Sequence, residues 1–408
     1  MQLSAEEQTV IAAVDRLDGQ MRAQVMQWAA VNSGSGNLDG LADMARLLSA
    51  AFTELGGSIA LVDPAPVERV DAAGVVRPVA HGRNLHLRQR PDAPLRVLLT
   101  GHMDTVFAVD HPFQTIRAID DNVINGPGTA DMKGGIAVML AALLAFETSP
   151  LAEKLGYDVV INSDEEVSSP GSAPLLVAAA ASVQLGLTYE PALPDGTLAG
   201  ARKGSGNFSV VIRGRSAHAG RNPEDGRNAI LAAADLALRL AALRRDGLGV
   251  NIARIDGGGP NNIVPDMAVL RFNMRPSSAA YQQGAEGAIA TAVQDVATAH
   301  DVTAELHGGF ARPPKPLDET QRGLFELVRS CGRDLGLAIG WRDTGGVCDG
   351  NNLAALGLPV VDTMGARGGA IHSSEEFLLL DSLVERARLS ALLLMRVAAG
   401  GLPARASG

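Results

Sequence analysis

The segment GIAVMLAALLAF, Gly135 to Phe146, constrains the fold more than any other part of this chain. It is apolar nearly all round at helical spacing, so as a helix it has no face to turn to water. It is also far short of the roughly 20 apolar residues that a membrane span needs. Such a helix is expected inside a packed core. Its neighbours in sequence suit that place. LRVLLT (Leu95 to Thr100) is a buried-strand run that ends at Gly101, and DVVIN (Asp158 to Asn162) is the next strand. Leu175 to Ala181 reads as a helix and Leu185 to Tyr189 as a further strand. Strand, helix, strand, helix at this spacing predicts an α/β class with a mixed, largely parallel sheet flanked by helices. Upstream, Ala5 to Ala30 and Leu38 to Leu55 both carry the three- and four-residue apolar steps of helices.

The pattern changes near Gly200. Phe208 to Ile212, Asn251 to Ile255, Met267 to Met274 and Val302 to Leu306 read as strands, with helices over Asn228 to Leu243 and Ala279 to Ala299. These elements describe a smaller α+β unit, one sheet face covered by two helices. The run from Ala311 to Pro316 holds three prolines and reads as a linker closing that unit. Helical patterns over Glu319 to Leu335 and Leu383 to Ala399 then resume the first domain. The expected division is residues 1–202 and 313–408 for the larger domain, with 203–312 inserted between them.

Composition excludes several classes. Hydrophobic residues are 46% and charged residues 20% of the 408, which suits a folded chain rather than a disordered one. A formal charge of -10 with no basic stripe argues against nucleic acid as a partner. The N-terminus MQLSAEEQTV has acids where an export signal carries basic residues, and the two cysteines suit a reducing compartment. A cytoplasmic protein with no membrane partner is expected.

Five short motifs carry side chains able to do chemistry, most of them where strands end, and loops beyond the carboxyl ends of strands form the binding crevice of α/β sheets. Gly101-His102-Met103-Asp104 follows the LRVLLT strand. In extended chain His102 and Asp104 point to one side, so Asp104 can accept a hydrogen bond from one ring nitrogen and leave the other for a metal. A plain turn with a surface histidine fits as well. Asp131, in GTADMKGG ahead of the apolar helix, is either an N-cap or a carboxylate that bridges two cations. Ser163-Asp164-Glu165-Glu166 ends the DVVIN strand. Adjacent residues of extended chain face opposite ways, so one glutamate can ligate a metal while the other serves as general base. A solvated acidic loop is the plainer alternative. Glu190 in Tyr189-Glu190-Pro191 and His372 in Ala370-Ile371-His372-Ser373 complete the set. Jointly these residues offer two imidazoles and three carboxylates, a donor set suited to two divalent ions such as zinc.

In their order, GHMDTV, GTADMKGG, SDEEVSS, YEP and the late HSS resemble the metal-site motifs of the M20 metallopeptidase family, over nearly the whole chain. Among members the likeness is greatest to the glutamate carboxypeptidase type, with acetylornithine deacetylase and succinyl-diaminopimelate desuccinylase as relatives. The resemblance implies that His102 and Glu190 bind one metal and Glu166 and His372 the other, with Asp131 bridging. It makes Glu165 the general base and Asp104 the residue that orients His102, and it implies a cis peptide after Asp131. It implies a zinc-peptidase-like fold whose inserted unit serves as lid and dimerisation domain. His218, in Ser216-Ala217-His218-Ala219-Gly220, would then reach the site of a partner copy in a homodimer, and Asn262 and Arg275 would contact substrate. Arg275 suits a carboxylate through its planar, two-pronged guanidinium. Arg367 is a further candidate anion contact, whereas Cys348 has no base motif beside it and reads as a small buried residue.

The implied reaction is metal-assisted hydrolysis of an amide on the amino nitrogen of a small substrate. That substrate is a C-terminal residue in a carboxypeptidase, or an N-acyl amino acid in a deacylase of the acetylornithine deacetylase or desuccinylase type. Zinc is the first expectation for the metal, with cobalt or manganese able to use the same ligands.

Overall fold

The apolar helix lies where its composition requires. In the computed structural model, which describes residues 3–401, the helix Gly135–Glu147 is buried at every position from Gly135 to Phe146 except Leu144. It packs against the C-terminal helix Asp381–Ala398 and the first helix Ala5–Asp15, with the strand Arg96–His102 also in contact. The helical stretch Thr129–Phe146 is long and apolar enough to cross a membrane by composition, yet 94% of it is buried inside the fold. It is a core helix.

The central sheet has six strands in the order Ser58–Val62, Asn84–Gln89, Gly156–Asn162, Arg96–His102, Leu185–Thr188 and Val360–Val361. The last four run parallel and the first two add antiparallel, so the mixed and largely parallel sheet is as expected. The strands Arg96–His102 and Gly156–Asn162 are buried along their whole length, as parallel strands covered on both faces must be. Their register sets His102 opposite Asn162, and Thr100 opposite Thr188, so three chemistry-bearing loops leave one edge of the sheet together.

The smaller unit is an antiparallel sheet in the order Leu248–Gly257, Met267–Pro276, Ser205–Arg213 and Thr303–Arg312, covered on one face by the helices Ala229–Ala241 and Ala279–His300. Its core, from Phe208 to Val296, is a hydrophobic cluster separate from that of the central sheet. Sequence patterning left residues 58–89 unassigned. There the hairpin Val67–Val70 and Val76–Val79 lies against the far face of the smaller sheet, with Val70 packed on Val211 and Val269. Arg271 donates to the Val70 carbonyl at 3.0 Å and Arg213 to that of Gly74 at 2.8 Å. Short polar-looking strands of this kind carry little periodic signal, because their partner is a distant sheet. The single helix expected over Ala5 to Ala30 is two, Ala5–Asp15 and Asp18–Ala29, since the chain breaks after Asp15 and the second helix starts afresh.

The proline-rich run begins at the end of the strand Thr303–Arg312 and holds two buried charges. Arg312 and Lys315 are both buried, and Lys315 donates to Asp362 at 2.9 Å. Arg202 meets the same Asp362 oxygen at 2.7 Å, so one carboxylate serves two buried cations. Burial opposes ionisation of Asp362, but Arg202 and Lys315 outweigh it and hold the carboxyl below its ordinary range. A depressed carboxylate contributes stability that is present above the unfolded value of about 4 and is lost as pH falls. Asp362→Asn is expected to destabilise the fold by about 3–5 kcal/mol, because it strands two charges in the interior. Urea unfolding at neutral pH measures this, and a loss under about 1 kcal/mol would contradict it.

Candidate metal centre

His102 closes its strand, and the chain then turns so that its ring faces Asp131 and Glu190. His102 Nε2 lies 3.1 Å from Asp131 Oδ1 and 3.8 Å from Glu190 Oε2. The other oxygen of Asp131, Oδ2, lies 3.3 Å from His372 Nε2, which is also 3.2 Å from Glu166 Oε2. Two groups of donor atoms result, each within 4.8 Å of one another: His102, Asp131 and Glu190, then Asp131, Glu166 and His372. Asp131 belongs to both. Its oxygens face the two histidines, so it does not cap the helix that follows, whose first turn has no side-chain cap. The Asp131–Met132 peptide is cis.

The donor chemistry fits cations. His102 Nδ1 sits 3.0 Å from the Asp104 carbonyl oxygen, which can only accept, so Nδ1 is the donor there and Nε2 is the nitrogen turned toward the cluster. Around Nε2 stand carboxylate oxygens, and Glu190 Oε1 is buried with no hydrogen-bond partner among the described residues. Burial pushes Glu190 up, and it raises Glu166 to about 7 with help from the negative charge of Asp131. Clustered acids held in this way are stabilised by added positive charge. Two divalent ions held by these residues would supply it.

Asp104 faces His102 with two of its groups: its carboxylate is 3.5 Å from His102 Nδ1 and its main-chain oxygen 3.0 Å. The Asp104 carboxylate oxygens also accept from the backbone N–H of Glu165 at 3.1 Å, that of Glu166 at 3.2 Å, and Ser35 Oγ at 2.7 Å. Asp104 thus ties the first loop to the acidic loop, while its carbonyl sets the histidine.

The acidic loop is buried rather than solvated. It is a tight turn over Glu165–Val167, not extended chain, and its three acids diverge to separate partners. Asp164 turns inward to accept from Gly171 N at 2.6 Å and from Ser172. Glu165 meets Arg312, and Glu166 meets His372. Burial raises the Glu165 carboxyl well above the ordinary range against the pull of Arg312. Helix and strand meet without a side chain at one point here. A Cβ on Gly135 would stand 2.0 Å from the Tyr189 carbonyl oxygen, next to Glu190. Only glycine allows that approach.

Glu376 went unnoticed in the sequence, although it lies close behind His372. It is buried and accepts from the backbone N–H groups of Gly128, Ala130 and Asp131 at 3.0–3.1 Å. It therefore pins the loop that carries Asp131 to the loop that carries His372. Glu376→Gln, which replaces one acceptor by a donor, is expected to weaken metal binding about 10–100-fold. Equilibrium dialysis against a competing chelator measures this, and unchanged affinity would contradict it.

Beside the cluster opens a cavity of about 800 Å³ whose lining includes Asp131, Glu165, Glu166, Glu190 and His372. Arg275 is in its wall, with Nε donating to Asn273 Oδ1 at 3.2 Å and Nη1 to the Gly345 carbonyl at 3.0 Å. Arg202, Arg312 and Arg342 also line it, none of them singled out by motif. His218 and Asn262 lie outside that lining. They neighbour each other on the smaller unit, where Ala219 N donates to the Asn262 carbonyl at 2.9 Å, and both are exposed. Arg367 lies outside the cavity lining. It is committed to Asp381 at 3.1 Å and Glu385 at 3.3 Å, and it also donates to the Pro194 carbonyl. Cys348 is buried, and burial pushes its thiol well up, as expected of a packing residue.

Comparison with known proteins agrees with this geometry. The profile of peptidase family M20/M25/M40 matches residues 98–396. Carboxypeptidase G2 of Pseudomonas sp. (strain RS-16) is 28% identical over 379 residues, covering 91% of this chain and 87% of that one. Succinyl-diaminopimelate desuccinylase of Verminephrobacter eiseniae (strain EF01-2) is 28% identical over 386 residues, covering 88% and 94%. The fold is shared with the Bacillus subtilis YXEP protein, a dinuclear metal binding peptidase, at TM-score 0.66 and 16% identity over 94% of this chain and 99% of that one. It is shared also with the metallo-carboxypeptidase Sso-CP2 of Sulfolobus solfataricus, at TM-score 0.70 and 14% identity over 93% and 99%. With its paired histidine and carboxylate clusters, the chain belongs to peptidase family M20/M25/M40 and is a metallopeptidase suited to two divalent metals.

Proposed function

We propose that this enzyme cleaves an amide bond on the amino nitrogen of an amino acid whose own carboxylate is free, as a carboxypeptidase acting on short peptides. The observation that carries the reading is Arg275 in the wall of the cavity that also holds the metal cluster. Two of its nitrogens are held by Asn273 and Gly345, and Nη2 has no hydrogen bond among the described residues. A guanidinium so fixed, with a donor to spare, suits a carboxylate. The similarity to carboxypeptidase G2 supports the same choice.

In this reading His102 and Glu190 hold one metal, Glu166 and His372 the other, and Asp131 both. Zinc is the metal we propose, on ligand type. Two cations bound there supply Lewis acidity and lower the pKa of water. Glu165 takes a proton from the attacking water and returns it to the departing amine, both within reach of one carboxylate. Asp104 holds the Glu165 and Glu166 amides in place. His218, brought by a second copy of the chain, donates to the carbonyl oxygen as negative charge develops there, with Asn262 beside it.

The reading requires a homodimer with the inserted domain, residues 203–312, between catalytic parts 1–202 and 313–408. Leu231 and Leu238, seven residues apart on one helix, are 59% and 73% exposed, and Ile263 beside His218 is 43% exposed. The strand Leu248–Gly257 is an edge of its sheet. An apolar stripe next to an open strand edge suits pairing with its own copy. Two buried free thiols suit the cytoplasm.

The desuccinylase relative matches at equal identity over most of its length, which favours an N-acyl amino acid deacylase as the second reading. One panel separates them: dipeptides and N-acyl compounds ending in Glu, Asp or neutral residues, acetylornithine and succinyl-diaminopimelate, each with and without chelator. Chelator-sensitive release of the C-terminal residue from dipeptides is expected. Release from acetylornithine or succinyl-diaminopimelate alone would overturn the carboxypeptidase reading in favour of the deacylase.

A further inference from the structure

The strongest unexplained feature beside the cluster is a buried cation against the residue that must accept a proton. Arg312 is 1% exposed. Its Nη2 donates to Glu165 Oε1 at 2.7 Å, to the Glu165 carbonyl at 3.0 Å and to Ser169 Oγ at 3.1 Å. Its Nη1 donates to Asp349 Oδ1 at 2.8 Å and to Asn352 Oδ1 at 3.2 Å. Asp349 is itself held by Asn162 and Ser169. The guanidinium is thus locked from both ends, and one of its prongs grips Glu165 by carboxylate and backbone at once.

We propose that Arg312 is a positioning residue for Glu165, anchoring one carboxylate oxygen so that the other is presented to the cavity, and linking that alignment to the inserted sheet. This rests on Glu165 being the base. Oε1 is taken by Arg312, while Oε2 has no hydrogen-bond partner among the described residues on a side chain that lines the cavity. Nη2 holds the Glu165 carboxylate and its carbonyl together, and the guanidinium plane is itself fixed because Nη1 is held by Asp349 and Asn352, so the restrained carboxylate loses much of its rotational freedom. A base must stand within about 0.5 Å of its productive place, so this restraint acts on rate. Arg312 is also the last residue of the strand Thr303–Arg312 and pairs with Ser205 at the start of another. A displacement of the inserted unit therefore moves the anchor of the base.

The test uses Arg312→Lys, Glu165→Gln, the double variant and Asp349→Asn, assayed on whichever panel substrate the wild type cleaves fastest. Metal content, melting temperature and the visible spectrum of the Co²⁺-loaded protein are measured alongside. Lysine keeps the charge but cannot hold both carboxylates. Arg312→Lys is expected to bind two metals with an unchanged cobalt spectrum and to lose at least tenfold in kcat, with KM within threefold. The double variant is expected to be no more than threefold slower than Glu165→Gln alone, since both changes act through one carboxylate. Asp349→Asn frees Arg312 without altering it and is expected to lower kcat at least threefold. A rise in KM at constant kcat would make Arg312 a substrate contact and overturn the proposal. So would an altered cobalt spectrum, which marks a merely structural role, or additive losses in the double variant. If Arg312→Lys does not fold, Asp349→Asn decides, and near-wild-type kcat overturns the proposal. Full activity in Glu165→Gln would overturn the base assignment as well, an outcome distinct from failure at Arg312 alone.

Discussion

Replacing Glu165 by glutamine is expected to lower turnover about a thousandfold while the protein keeps its full complement of metal. The separation of the two effects follows from the geometry. Glu165 lies in neither donor group, and its nearest charged partner is Arg312 at 2.7 Å. Glutamine fills the same space and still accepts from Arg312, so the fold is retained. It cannot take up a proton from water or hand one to the leaving amine, so both proton transfers lose their carrier. The check is kcat together with metals bound per chain. Turnover within tenfold of the wild type would remove Glu165 from the chemistry, and loss of metal would make it a ligand instead.

Asp131→Asn is expected to have the opposite signature, loss of metal first and of activity as its consequence. The Asp131 carboxylate is shared, one oxygen toward each histidine at 3.1 and 3.3 Å. An asparagine keeps the shape but removes one negative charge and turns one of the two oxygens into a donor aimed at a ligand site. Each donor group is left with an incomplete set. Affinity at both positions is expected to fall at least 100-fold, larger than the effect expected for Glu376, which supports Asp131 only through the backbone. Titration with Zn²⁺ or Co²⁺ by calorimetry reads this directly. A variant that still binds two ions tightly would show that Asp131 does not bridge them.

The candidate donors were legible in the chain because local order places them. Hydrophobic periodicity marks the parallel strands, and such strands in one sheet end at one edge, so His102, the acidic loop and Glu190 had to converge. Local geometry misled where the backbone left the strand. The extended-chain argument for Glu165 and Glu166 reached two divergent glutamates, but a tight turn separates them. The same argument sent the Asp104 carboxylate to His102, which it faces at 3.5 Å, but did not reveal that it also accepts from two amides of the next loop.

Periodicity, strand order and the five motifs were sufficient for the fold class, the buried helix and the family, because each depends on residues near one another in sequence or on a register that alternation imposes. The pairing of distant charges was not readable in this way. Arg312 looked like part of a proline-rich linker, and it meets Glu165 across 147 positions of chain; Lys315 and Arg202 likewise find Asp362 only in the folded molecule. Arg367, an equally plausible anion contact by sequence, is spent on Asp381 and Glu385. Arginines look alike in sequence whether they face solvent, a substrate or a buried acid. Which partner each one meets is decided by packing, since a buried charge is tolerated only where an opposite charge or a full set of hydrogen bonds is brought to it.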